Sequence, residues 1–239
     1  MGIDEKAFLA AYNPKDFPPV LVTVDAALFT FHQEQLLLLL VKRSNHPDKG
    51  KWGLPGGFID PARDSSLEET ANRKLLEKTG VTPPYLEQLH TIGNDSRDKR
   101  GWSVTVCYTA LIAHQKCAPG IDSVSDARWV GVDELDSVDL AFDHRIVIAL
   151  ARERLKQKAL YSIVPAYALP EKFSLPELQR IHEILIGKPL QKKSFRRRIE
   201  QANLLLDTGL KRYEGGRPAA LYKMRARSGR FTFVRNLEE

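Results

Sequence analysis

Residues 53–81 read GLPGGFIDPARDSSLEETANRKLLEKTGV. The paired glycines Gly56 and Gly57 lead into a segment in which Arg73, Lys74, Glu77 and Lys78 fall at helical spacing. Glycine lets a backbone come close to a ligand, and charges three or four residues apart share one face of a helix. That layout suits an anionic ligand. Lys74 and Lys78, one turn apart, can neutralise it as point charges, while Glu69, Arg73 and Glu77 can bridge one another as scaffold. Six further residues could join them. Arg43 ends an apolar run, Trp52 precedes the glycine turn, and RDKRGWSVTVCY carries Arg97, Asp98, Arg100 and Trp102 ahead of a strand-like stretch. Aromatic stacking on a purine and guanidinium contacts to phosphate are the chemistry open to such a set.

A second constellation lies near the other end of the chain. QKKSFRRRIEQANLLL, residues 191–206, reads as a helix whose inner side is Phe195, Ile199, Ala202 and Leu206. Lys193, Arg197 and Gln201 then face outward with Ser194 near them, flanked by Arg196 and Arg198. Lys188 and Lys192 precede the helix, and Arg217 follows in GLKRYEGGRPAALYKM, two strand-like pieces around Glu214, Gly215 and Gly216. An apolar side for packing, a polar basic side for a major groove and a basic hairpin for a minor groove are the parts of a winged helix-turn-helix. Double-stranded DNA is the partner these residues fit.

Other elements must hold both sets in place. VLVTVDAALFTFHQEQLLLLLVKR, residues 20–43, reads as two strands around a polar turn. Leu67, Ala71 and Leu75 with Leu76 give residues 67–78 helical periodicity. Strands follow at 86–93, 103–114 and 127–130, and HRIVIALARERLKQKAL makes a helix over 144–160. Three prolines in VPAYALPEKFSLPEL mark a connection near 164–173. SLPELQRIHEILIG then starts a helix at Ser174, with Glu177 closing a capping box, Leu175, Leu178, Ile181 and Leu185 as its apolar face and Gly187 as its stop.

Composition narrows the class. From Pro165 onward 16 Lys+Arg stand against 8 Asp+Glu, whereas the preceding residues hold 20 against 22, so the excess positive charge of the chain belongs to its last third. Such asymmetry points to a polyanion-binding module joined to something else. The longest apolar run, Leu36 to Val41, is too short to cross a bilayer, and the first residues lack the basic start and apolar core of a signal peptide. No membrane is implied, and cytoplasm is the expected location. Cys107 and Cys117 have no zinc-like spacing and read as reduced thiols.

The glycine turn, the acidic start of the helix and the ending RKLLEKTGV resemble the Nudix signature, G-x5-E-x7-R-E-U-x-E-E-x-G-U with U aliphatic. Arg73, Leu75, Glu77, Gly80 and Val81 match it, Lys74 and Lys78 stand where the family has glutamates, and Gly57 lies two residues too far from Arg73. In active members the helix carboxylates hold Mg²⁺, which bridges a diphosphate and activates water. A lysine ~5 Å from a divalent ion costs roughly 6 kcal/mol at an effective dielectric of 20. The expectation is therefore no catalytic residue and no bound metal, with the pocket kept as a receptor.

Taken whole, the chain resembles the Nudix-related transcriptional regulators of NAD metabolism, on the phrases above together with FSLPELQRIHEILIG, SFRRRIEQ and GGRPAALYKM. The resemblance implies an α+β fold: a Nudix-like mixed sheet flanked by helices over residues 1–163, then a winged helix-turn-helix over 164–239. It also implies a homodimeric repressor of NAD-biosynthesis genes that binds a palindromic operator, is found on the nucleoid when bound, requires no cofactor and takes ADP-ribose as its effector. Two other readings stay open: a Mg²⁺-dependent ADP-ribose pyrophosphatase with a basic extension, and an RNA-binding Nudix scaffold.

Overall fold

The structure, a computed structural model, describes residues 4–118, 120–213 and 218–233. Its first helix, α1 (Glu5–Ala11), buries no residue. β1 (Leu21–His32) runs through the middle of the larger sheet, and the alternation of its side chains explains the layers around it. Val24, Ala26 and Leu28 enter one core while Ala27 and Phe29 enter another. β2 (Gln35–Arg43) divides the same way, Leu39 to one side and Leu36, Leu38 and Leu40 to the other. A strand buried on both faces reads as a continuous apolar run, which is why 20–43 looks so uniform in sequence.

Short strands β3 (Trp52–Gly53) and β4 (Gly56–Phe58) carry the glycine turn, and β5 (Tyr85–Asn94), β6 (Ser103–Leu111) and β7 (Val124–Gly131) complete the sheet. Among the described residues its order is β3-β2-β1-β6-β5, with β4 added to β1 and β7 to β2. β1 and β6 are parallel and the other pairs antiparallel, so the sheet is mixed. Helix α2 (Leu67–Thr79) covers one face through Ala71 and Leu75. The Ser66 hydroxyl accepts from Glu69 N–H at its start and Gly80 ends it in the left-handed region. Leu76, expected inward beside Leu75, is exposed because it falls about 100° round the helix from its neighbour.

The opposite face packs on α3 (His144–Tyr161), and here the sequence expectation needs amending. The segment after α3, read as a connection near 164–173, begins as a 3-10 turn (Val164–Ala168) whose Val164, Pro165, Ala166 and Ala168 are buried, so its first part is an apolar wedge and only Pro170, Glu171 and Lys172 are exposed. α4 (Leu175–Ile186) follows β8 (Phe173–Ser174) and lies against α3. One hydrophobic core thus runs from Phe29 of the sheet through Leu155 of α3 to Leu178 and Phe195. The His182 ring, fully buried on α4, donates from Nδ1 to Ala159 O of α3 at 2.8 Å, since a carbonyl can only accept, and its Nε2 has no hydrogen-bond partner among the described residues. Tyr85 of β5 stacks on Tyr167 of the wedge at 5.2 Å.

The last elements are α5 (Lys192–Ala202), β9 (Leu205–Arg212) and β10 (Ala219–Met224), the strands forming a sheet in the order β8-β10-β9. The expected helix over 191–206 ends earlier. Asn203 adopts φ +52° as a left-handed cap, and Leu206, expected inside the helix, pairs with Lys223 in β9. None of the helices in the described residues is long and apolar enough to cross a membrane.

Candidate functional site

A cavity of about 330 Å³ opens between β1, the glycine turn, α2 and the start of α3. Arg43, Gly56, Gly57, Lys74, Lys78, Arg97, Asp98 and Arg100 line it; Trp52, Arg73, Glu77 and Trp102 do not. Gly56 is fixed by contact. A Cβ there would sit 2.2 Å from Asp25 Oδ1 and 2.3 Å from Val24 O, so no side chain fits beside β1. Gly57, with φ +148°, brings the backbone alongside the Lys74 stem, whose Cε lies 3.4 Å from where its Cβ would be.

The cations differ in how they are held. Arg97, with a side chain 4% exposed, forks onto Asp143 at 3.1 Å and faces Asp25 at 3.6 Å. Arg100 grips Asp98 at 2.6 Å and lies over the Phe58 ring at 4.8 Å. The Asp98 carboxyl is held below the usual range by that guanidinium. Arg43 donates from Nε to Pro47 O at 2.9 Å and stacks over Phe142 at 4.6 Å. Lys74 stands 3.5 Å from Glu77. Lys78 has no hydrogen bond or ion pair among the described residues, and burial, opposed by Asp25 and aided by Lys74 and Arg43, pushes its amine down to about 8. Two stacked guanidinium–aromatic pairs and two lysines beside a glycine turn can hold a planar base at one end and a diphosphate at the other.

Among the lining residues missing from the sequence reading are two aromatic rings and an acid–imidazole pair: Phe58, Phe142, Asp25 and His144. His144 Nδ1 accepts from Leu54 N–H at 2.9 Å and its Nε2 faces Asp25 Oδ1 at 3.6 Å. Thr105 donates to Asp25 Oδ2 at 2.7 Å. Burial works to raise the Asp25 carboxyl, yet His144, Thr105 and Arg97 together hold it lower than usual. The signal for Asp25 was present, an acid inside the apolar run VLVTVDAALF; Phe58 adjoins the glycine pair, whereas Phe142 and His144 arrive through tertiary folding alone.

The four residues outside the lining have definite places. Trp52 pairs with Lys42 across β2 and β3 and so shares its face, while Arg43, one residue on, points the other way into the cavity. Trp52 is covered by Arg128 at 4.1 Å. Trp102 is 49% exposed and crosses over Gly93. Arg73 clasps Asp64 of the inserted loop through Nε at 2.6 Å and bonds Glu77 at 3.2 Å, and Arg63 also reaches Glu77 at 3.2 Å. The bridging role read for Arg73 and Glu77 therefore exists, with Asp64 as its unforeseen anchor; Glu69 turns instead to Ser65. No group of three or more potential metal-ligating side chains occurs among the described residues.

At the other end, α4 has the expected Ser174–Glu177 capping box and its stop at Gly187. α5 buries Phe195 and Ile199 and exposes Lys192, Lys193, Arg196, Arg197 and Gln201, with Ser194 and Arg198 half-buried and Lys188 exposed in the loop before it. β9 and β10 supply the hairpin that follows. Arg217 and the turn Glu214–Gly216 lie outside the described residues. A convex basic helix followed by a hairpin is the form that enters a major groove with a wing beside it.

Comparison with known proteins agrees with both halves. Residues 20–151 match the NUDIX domain and residues 165–224 the NrtR DNA-binding winged helix domain. The ADPR responsive transcriptional repressor NtrR of Acinetobacter baylyi is 46% identical over 234 residues, 98% of this chain and 94% of that protein. Shewanella oneidensis NrtR complexed with a 27mer DNA superposes with a TM-score of 0.86 at 63% identity, over 91% of this chain and 99% of that one. The NUDIX domain of the same Shewanella protein, complexed with ADP ribose, matches with a TM-score of 0.63 at 59% identity, over 64% and 99%. The chain belongs to the NrtR family, a Nudix domain continued by a DNA-binding winged helix.

Proposed function

We propose that this protein is an ADP-ribose-responsive transcriptional repressor, acting as a homodimer on palindromic operators of NAD-biosynthesis genes in the cytoplasm, with residues 1–163 as sensor and 164–239 as DNA reader. The observation that carries the reading is a cationic cavity joined through the single core around α3 to an outward-facing basic helix. ADP-ribose lies in the Arg43, Phe58, Phe142 cavity with its diphosphate toward Gly57, Lys74 and Lys78. Lys193, Arg197 and Gln201 meet base edges while Arg196, Arg198, Lys188 and Lys192 serve phosphates, and Arg217 belongs to the wing.

The sensor is not a hydrolase on this reading. The residues present do not fit Mg²⁺: Glu77 already faces Arg63, Arg73 and Lys74, and Lys74 and Lys78 occupy the neighbouring positions. Incubation of the protein with ADP-ribose and Mg²⁺ should release no AMP. A palindromic site selected from random duplexes should be bound by the full chain, and titration with ADP-ribose should change that affinity by about 5- to 150-fold, the range of ordinary coupling free energies. Unchanged DNA affinity at saturating ADP-ribose would reject the switch.

A further inference from the structure

Lys78 differs from every other cavity cation. Arg97, Arg100 and Lys74 each stand within 4 Å of a carboxylate, and Arg43 is bonded to backbone carbonyls and stacked on Phe142. Lys78 projects into the same cavity with none of these contacts among the described residues. An amine that loses water without gaining an acid gives up its proton more readily, and here burial and the charges of Lys74 and Arg43 act in that direction. Buried Asp25 and His144 stand 3.6 Å apart in the wall it faces. A desolvated lysine beside other cations is the setting in which lysine attacks carbonyl carbon.

We propose that Lys78 Nζ forms a reversible imine with the aldehyde of the ligand's reducing ribose. The inference rests on ADP-ribose as the occupant of this cavity. Its distal ribose has a free hemiacetal carbon, C1, which opens to an aldehyde when the C1 hydroxyl proton moves to the ring oxygen. The lone pair of neutral Nζ makes the C–N bond to C1, and the carbonyl electrons go to oxygen, which takes a proton. Loss of that oxygen as water, with the nitrogen lone pair closing C=N, completes the step. Both amine protons leave in the one water, Asp25 relaying a proton between nitrogen and oxygen; nothing is oxidised or reduced. A dinucleotide whose C1 is joined to a base has no aldehyde to offer. Imine formation therefore gives the cavity a chemical means of separating ADP-ribose from an intact nicotinamide dinucleotide that shares all its phosphates.

The test uses the full chain with ADP-ribose and sodium cyanoborohydride, which converts an imine to a stable secondary amine, followed by peptide mass spectrometry and parallel calorimetry. The expected result is a label on Lys78 above that on any other lysine, suppressed by excess ADP, absent with ADP-ribitol, whose aldehyde carbon is an alcohol, and lost in Lys78→Arg and Lys78→Met. Binding heat with ADP-ribose but no label on Lys78, or label spread over exposed lysines regardless of ADP, overturns the imine and leaves the effector reading intact. Absence of binding heat with ADP-ribose overturns both.

Discussion

Helices α2 and α5 are similar in length and both carry lysine and arginine, yet they turn these charges in opposite directions. On α2, Lys74 and Lys78 point into a concave cavity beside a glycine turn, and Arg73 is locked to Asp64 and Glu77. On α5, Lys192, Lys193, Arg196 and Arg197 stand in solvent on a convex face while Phe195 and Ile199 fasten the other side. Desolvated cations act at short range and feel little salt; solvated ones act through the counterions they displace from a polyanion. The same residue type thus serves a small diphosphate in one place and a long duplex in the other, because curvature decides how much water stays on the charge.

Reversing the inward charges gives the largest expected effect. Lys74→Glu/Lys78→Glu should lower ADP affinity in metal-free buffer at least about a hundredfold, near 3 kcal/mol, by isothermal calorimetry. DNA binding without ligand should persist, since α5 is untouched. A loss of less than tenfold would break the contrast, by showing that the α2 lysines do not hold the diphosphate. Wild-type ADP binding should also weaken as pH rises through about 8, where the Lys78 amine loses its proton, because the phosphate favours the charged form.

Much of both regions can be read from the sequence, and for the same reason. Helical spacing, caps and glycines are local, so α4, with Ser174, Glu177 and Gly187, and the inward set of α5 are legible residue by residue. The end of α5 is not: Asn203 stops it, and Leu205 and Leu206 take strand geometry because β10 supplies their hydrogen-bond partners. The cavity divides likewise. Gly56, Gly57, Lys74 and Lys78 are set by one turn and one helix, but Asp25, Phe142 and His144 arrive from segments up to 119 residues apart in sequence. Trp52 reads in sequence as an aromatic able to stack on a base, but its facing depends on its register with Lys42, which leaves it outside the cavity lining.

The junction between the regions can be broken with acid. His182, fully buried, contacts α3 through Ala159 O and the Phe195 ring of α5 edge-on at 5.4 Å. Burial pushes its imidazole from 6.5 down to about 4. The unfolded chain therefore binds the proton first, and the stability tied to neutral His182 is whole above pH 6.5 and lost as pH falls toward 4, by up to about 3 kcal/mol. Urea midpoints between pH 7 and pH 4 should show this fall, and His182→Gln should flatten it. An unchanged slope in that variant would place the acid sensitivity elsewhere.

Outward charges are tested with salt. Arg197→Ala should cost about 1–3 kcal/mol on the selected operator and much less on random duplex if the side chain meets a base edge. Arg196→Ala should instead weaken both duplexes alike and reduce the logarithmic salt slope by about 1. Fluorescence anisotropy over a salt series measures each. Equal specificity losses for the two variants would erase the division between reading and anchoring on α5. ADP binding in the cavity should change far less over the same salts.

The smallest effect concerns an exposed contact that ties the halves together. Arg180 of α4 meets Glu34, in the turn between β1 and β2, at 3.1 Å, with the two side chains 46% and 70% exposed. Such a pair contributes only about 0.2–1 kcal/mol, so Arg180→Ala and Glu34→Gln should each leave the melting transition nearly in place. Its position gives it more meaning than its strength, because the sensor hairpin and the helix packed beside α5 touch here outside the shared core. A double-mutant cycle read as operator affinity with and without ADP-ribose separates the two contributions. If the halves move as one body, the coupling energy between Arg180 and Glu34 is the same in both states. If the ligand shifts the sensor sheet against α4, the coupling is present in one state and absent in the other. The first outcome assigns the signal to how two protomers are arranged, and the second to motion within one.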